Sequence, residues 1–174
     1  MRIESNRLSF QKYTENDVDF LYSLVSDPEM VQYIGEGTVR DIEGTNTFLN
    51  WILNTYKTRE DLGLMILVDK ENNMRVGHAG IVPQVVDGTT EYEIGYWIVK
   101  EHWGKKLATE AAITLRDYGS NILGIERFIA LIQPGNVASI MVAKKLGMNV
   151  EKEIMRGSKK VHVYAISNSS LIIV

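Results

Sequence analysis

The chain has 174 residues, 45% hydrophobic and 24% charged, with a formal net charge of -3. That length suits a single domain spanning residues 1–174, which on folding buries roughly 70% of the surface of its extended chain, and a charge so near neutral lends no general support to nucleic acid or an acidic membrane as partner. No cysteine is present, which excludes a disulfide framework, a thiolate zinc site and a cysteine nucleophile; the absence of a signal-peptide core and of an apolar run near the roughly 20 residues that span a bilayer makes the cytoplasm the expected location.

Leu8, Phe10, Lys12 and Tyr13 read as an opening strand that ends at residues 14–17. Thr14 has the character of a helix cap, with Asp17 placed to return a bond to it, and Val18, Leu21 and Val25 follow at helical spacing. Asp27-Pro28 repeats the start signal for a short second helix. Phe48, Leu49, Ile52, Leu53 and Tyr56 form the apolar stripe of a third. Three strands are predicted next, over 64–68, 76–82 and 92–99, and the turn-rich segments between them suit an antiparallel meander. A helix over 107–122, a strand over 128–132, a helix over 137–146 and two strands over 150–155 and 161–166 complete an α/β (α+β) pattern, a mixed sheet flanked by helices. The apolar tail 171–174 is read as packing, within the chain or between two copies in a homodimer.

The stretch 91–112 carries the chemistry: a strand runs through His102-Trp103-Gly104-Lys105-Lys106 into a helix. A helix start leaves backbone amides unpaired, and with the positive end of the helix dipole they suit a diphosphate. The phosphate-binding patterns G-x-x-x-x-G-K-[ST] and G-x-G-x-x-G are missing, which removes support for a nucleoside triphosphate or a dinucleotide. His78, His102 and His162 lack the i, i+4 spacing of metal ligands, and no metal site is expected.

Glu93-Ile94-Gly95-Tyr96-Trp97-Ile98, Trp103-Gly104-Lys105-Lys106-Leu107-Ala108-Thr109-Glu110-Ala111, Asn136-Val137-Ala138-Ser139 and Lys145-Leu146-Gly147-Met148 occur in that order. Together they resemble the GNAT superfamily of N-acetyltransferases, in particular its ribosomal-protein-alanine acetyltransferase-like branch. The likeness extends to Arg7-Leu8-x-Phe10 and to 26–29, and so over nearly the whole chain. It implies a mostly antiparallel sheet whose two parallel strands splay apart to hold acyl-CoA. It further implies transfer of acetyl from acetyl-CoA to a primary amine, of a small molecule or a protein N-terminus, by direct attack in a ternary complex. A catalytically idle acyl-CoA sensor is the rival reading.

On this resemblance Ile98 and Val99 offer backbone groups to the pantetheine arm, and the loop amides of Gly104, Lys105, Lys106, Leu107, Ala108 and Thr109 hold the pyrophosphate. Asn136 bonds the pantetheine or orients its loop; turn chemistry and helix capping are the structural alternatives. Two departures stand out. Lys106 occupies the first glycine position of the family loop, where it either strains the backbone or bonds a phosphate through its ammonium. Ala143 occupies the position, seven residues after Asn136, at which many members carry a tyrosine, so Ser139 becomes the candidate beside the leaving thiolate. Glu93 is the first candidate for the base, directly or through a water. Strand alternation puts Glu91, Glu93 and Gly95 on one face and Tyr92, Ile94 and Tyr96 on the other, which makes Glu91 its rival; His78 is a weaker alternative. Lys144 and Lys145 are candidates for the nucleotide phosphates. The acceptor is expected across the sheet from the donor, bordered by the first two helices and residues 30–37.

Overall fold

A computed structural model describes residues 2–167; the apolar tail 171–174 lies outside them. Its elements run β1 (Leu8–Lys12), α1 (Val18–Val25), α2 (Pro28–Val31), α3 (Ile42–Thr58), β2 (Gly63–Asp69), β3 (Arg75–Val86), β4 (Thr89–Ile98), α4 (Leu107–Asn121), β5 (Arg127–Ile132), α5 (Val137–Lys145), β6 (Asn149–Arg156) and β7 (Lys159–Ser167).

The predicted start signals act as read. Thr14 and Asp17 close a capping box, although the turn they cap is 3-10 over residues 15–17 before α1 begins. The Asp27 side chain accepts from the Glu29 amide at the head of α2. The beginning of α3, which the apolar stripe did not locate, is capped by Asp41, whose carboxylate accepts from the Gly44 amide at 2.8 Å. The β3–β4 hairpin is longer than the periodicity suggested, because Asp87 (φ 49°) and Gly88 (φ 77°) make a two-residue turn that continues both ladders to its tip.

The strands form one seven-stranded sheet in the order β1-β2-β3-β4-β5-β7-β6, antiparallel except where β4 meets β5. Helices pack on both faces. Leu107, Ala111 and Leu115 of α4 and Val142 and Ala143 of α5 join Ile81, Ile94, Ile98 and Phe128 in the larger core. The helices α1 and α3 bury Leu21, Leu24, Leu49 and Ile52 against Leu64, Ile66 and Val82 on the opposite face. The first of these contacts is close enough to require glycine: a Cβ on Gly119 would lie 2.7 Å from the Phe128 ring. No helix among the described residues is long and apolar enough to cross a membrane.

Candidate active site

Between β4 and β5 the sheet opens. β3 and β4 pair over ten residues, whereas β4 and β5 share the single pair Glu93↔Ile129 and then diverge. The Val99 amide donates to the Val76 carbonyl at 2.8 Å, which makes these two a hydrogen-bonded pair of the ladder. By antiparallel alternation Ile98, one residue earlier, turns both its N–H and its C=O away from β3 and toward the opening. Its carbonyl accepts from the Trp103 indole at 2.7 Å, which leaves the N–H for a ligand. Val99, expected to offer backbone groups to the pantetheine arm, does not: its carbonyl accepts from the His102 amide at 2.8 Å. Its amide is engaged with β3, its side chain packs with the α1–α3 core, and it does not line the opening.

The loop from β4 to α4 forms one wall of a cleft of about 600 Å³, lined by Ile98, Gly104, Lys106, Leu107, Ala108 and Thr109 on this side. Among the described residues, the amides of residues 105–109 have no hydrogen-bond acceptor, the arrangement that a helix start offers to an anion. Lys106 caps α4 with φ 62° and ψ 21°, left-handed geometry that suits glycine and costs another residue on the order of 1 kcal/mol. The lysine therefore occupies a left-handed position, and it lines the cleft. Lys105 faces elsewhere: its ammonium lies 3.2 Å from His102 Nδ1, and it does not line the cleft.

The opposite wall comes from the β5–α5 connection. The Asn136 side chain accepts from the Ser139 amide at 3.3 Å, so Asn136 caps α5, and both residues line the cleft, as does Lys145 but not Lys144. Tyr96, to which the sequence assigned no role at the site, reaches the same cleft from β4 and donates its hydroxyl to the Ser139 carbonyl at 3.0 Å. Burial pushes this phenol well above its ordinary pKa, and the neighbouring Glu93 charge adds to the effect. The sequence signals for Tyr96 were its place in the run 93–98 and the alternation that set it with Tyr92 and Ile94, opposite Glu93.

The candidate bases lie off the cleft wall. Glu93 is half-buried; its carboxylate accepts from Gln84 Nε2 at 2.8 Å and from the Leu131 amide, yet burial outweighs these donors and raises its pKa. Glu91 is bound to Arg127 at 3.0 Å, and Arg127 also holds Glu151 at 2.5 Å, so the rival carboxylate belongs to an ion-pair network. His78 is fully buried behind Trp97, with ring centroids 4.9 Å apart and Nδ1 2.7 Å from the Tyr13 hydroxyl. Burial lowers its pKa to about 3. It stays neutral at ordinary pH, and it does not line the cleft.

Met30 of α2 and Gln32, Tyr33 and Ile34 after it complete the wall. Gln133 donates to the Gly35 carbonyl at 2.8 Å, while the Glu36 carboxylate accepts from the Ser158 amide at 2.9 Å and from the Ser158 hydroxyl. The segment after α2 is thus fixed to the β6–β7 hairpin. A Cβ on Gly135 would lie 2.9 Å from the Tyr33 ring, so glycine there lets Tyr33 approach the β5–α5 connection.

Parted parallel strands beside a helix start with free amides suit an extended ligand that carries an anionic group. Residues 7–149 match the model for the acetyltransferase (GNAT) domain, and the chain belongs to that family. It is 35% identical over 164 residues to an uncharacterized protein, YkkB, of Bacillus subtilis, with 94% of each chain covered. A GNAT-family acetyltransferase from Bacillus anthracis superposes with a TM-score of 0.80 at 28% identity, covering 97% of this chain and 99% of that one. RimL, a ribosomal L7/L12 alpha-N-protein acetyltransferase crystallised with coenzyme A, superposes with a TM-score of 0.78 over 96% of this chain and 98% of its own. At 18% identity, that last likeness concerns the fold alone.

Proposed function

We propose that this N-acetyltransferase takes acetyl from acetyl-CoA and passes it to a primary amine, of a small molecule or a protein N-terminus, by direct attack within a ternary complex. The observation that carries the reading is the run of free amides over residues 106–109, opening on a cleft beside the parted strands. The residues fit the donor. The four amides of residues 106–109 and the Lys106 and Lys145 side chains meet a diphosphate, and the Ile98 N–H meets the thioester end of the extended arm.

In the mechanism we assign, the Ile98 amide polarises the thioester carbonyl. The neutral amine adds to that carbon, and the C–S bond breaks as the amide forms. Glu93 takes the proton the amine loses, through a water, because its carboxylate stands away from the cleft wall. Its raised pKa brings it closer to the range in which a carboxylate is an effective base near neutrality. The Ser139 hydroxyl hydrogen-bonds the departing thiolate, which takes its proton from solvent. Positioning supplies most of the acceleration. A family member of the same fold acts on a protein N-terminus, which keeps that acceptor class alongside small amines.

The test is calorimetric titration with acetyl-CoA, followed by a thiol-release assay over small amines and N-terminal peptides. Saturable binding near micromolar strength, about 8 kcal/mol, together with amine-dependent release supports the reading. Binding without release from any amine favours the idle sensor. No binding at millimolar acetyl-CoA removes the donor assignment.

A further inference from the structure

Arg7 lies almost a hundred residues from the anion loop in sequence and touches it directly. Its Nη1 donates to the Lys105 carbonyl at 3.1 Å, while its Nε donates to Glu110 Oε2 at 2.6 Å and its backbone N–H to Glu110 Oε1 at 2.9 Å. Ser5 adds a third donor to the same carboxylate at 2.6 Å. Glu110 sits in the first turn of α4, and its amide bonds the Lys106 carbonyl. One guanidinium therefore fastens the first turn of the helix and the residue just before the left-handed lysine.

The peptide bond is planar and trans, so the Lys105 carbonyl and the Lys106 N–H point in opposite directions. With the carbonyl held by Arg7, the Lys106 N–H is directed away from Arg7. Rotating that one peptide plane would carry Lys106 from φ 62° to the negative values that a lysine prefers, and would reverse the N–H. A glycine at this position has no such incentive. The loop thus contains a strained residue with an easy local escape, and the contact that blocks the escape comes from the start of the chain.

We infer that Arg7 is a positioning residue for the donor site: by holding the Lys105 carbonyl, with Glu110 as its anchor, it keeps Lys106 left-handed and its amide set for the diphosphate. The inference rests on the acetyl-CoA reading above. Arg7 touches no substrate; it substitutes for the conformational freedom that a glycine at 106 would supply.

The experiment is a double-mutant cycle read by titration with acetyl-CoA and by steady-state KM and kcat, with thermal melting of each unliganded protein. Arg7→Met is expected to weaken acetyl-CoA about tenfold, as a rise in KM with kcat nearly unchanged. The same change made together with Lys106→Gly is expected to cost about twofold or less relative to Lys106→Gly alone. Arg7→Lys, which keeps a charge for Glu110 but loses the fork that also reaches Lys105, is expected to fold normally and to show the same loss; it carries the test if Arg7→Met melts. Equal losses with and without Lys106→Gly, or unchanged affinity in both Arg7 variants, overturn the inference while leaving the acetyl-CoA reading intact. Failure of the unsubstituted protein to bind acetyl-CoA overturns the reading itself and the inference with it.

Discussion

The Tyr96 hydroxyl donates to the Ser139 carbonyl at 3.0 Å and so ties strand β4 to the first turn of helix α5 across the cleft. The bond fixes the spacing between the wall that carries Ile98 and the wall that carries Asn136 and Ser139. Tyr96→Phe removes it and leaves the carbonyl without that donor. Stability is expected to fall by about 1 kcal/mol, and kcat/KM by about tenfold or less as the wall loosens. Thermal melting and initial rates check both; an unchanged kcat/KM would assign the bond to folding alone.

Ser139 contributes its amide, not its hydroxyl, to the Asn136 cap. Ser139→Ala therefore leaves the cap in place. The expected result is an unchanged melting temperature and acetyl-CoA affinity, with kcat lowered about tenfold. A drop in affinity with kcat intact would move the hydroxyl from the thiolate to the ground-state complex.

Burial raises the pKa of Glu93. A carboxyl whose folded pKa exceeds its unfolded value favours the fold while protonated, and that contribution is lost as pH rises through the folded pKa. Glu93→Gln stays neutral and keeps an acceptor for Gln84, so at neutral pH it is expected to melt higher than the unsubstituted protein, with the gap closing in acid. As the assigned base, it is also expected to lower kcat about 10²- to 10³-fold and to remove the acidic limb of the pH–rate profile. A stabilised but fully active variant would return the carboxylate to a purely structural place.

Asp17 has the opposite sign. Burial alone would raise its carboxyl, but the Thr14 amide and hydroxyl and the Arg75 guanidinium at 2.8 Å outweigh burial and hold it below the ordinary range. Such a group contributes stability above its unfolded pKa, lost as pH falls through the folded one. Asp17→Asn is expected to cost about 1–2 kcal/mol at pH 7 in chemical denaturation, a gap that narrows below about pH 4. A cost independent of pH would trace it to the cap geometry instead of the charge.

Local chemistry and periodicity made much of this fold legible. The Thr14–Asp17 box, the Asp27-Pro28 start, the meander from β2 to β4 and the two faces of β4 all follow from neighbours a few residues apart. The site was legible as a stretch of chain and less so atom by atom. Which of Ile98 and Val99 has a free amide depends on the β3–β4 register, which places Val99 opposite Val76. Backbone strain at Lys106 was one of two readings of its glycine position, and the dihedral shows that the position is left-handed. Arg7 and Lys105 meet through tertiary packing, so no spacing rule could pair them.

The lone Glu93↔Ile129 pair has a mechanical consequence. β1 to β4 form one antiparallel ribbon, β5, β7 and β6 another, and a single rung joins them along the sheet. Beyond that rung no strand pairing joins the ribbons, so the spacing of the mouth rests on side-chain ties such as that from Tyr96 to the Ser139 carbonyl. An extended guest that bonds the Ile98 amide would act as a removable eighth strand, stiffening the seam while present and restoring its compliance on departure.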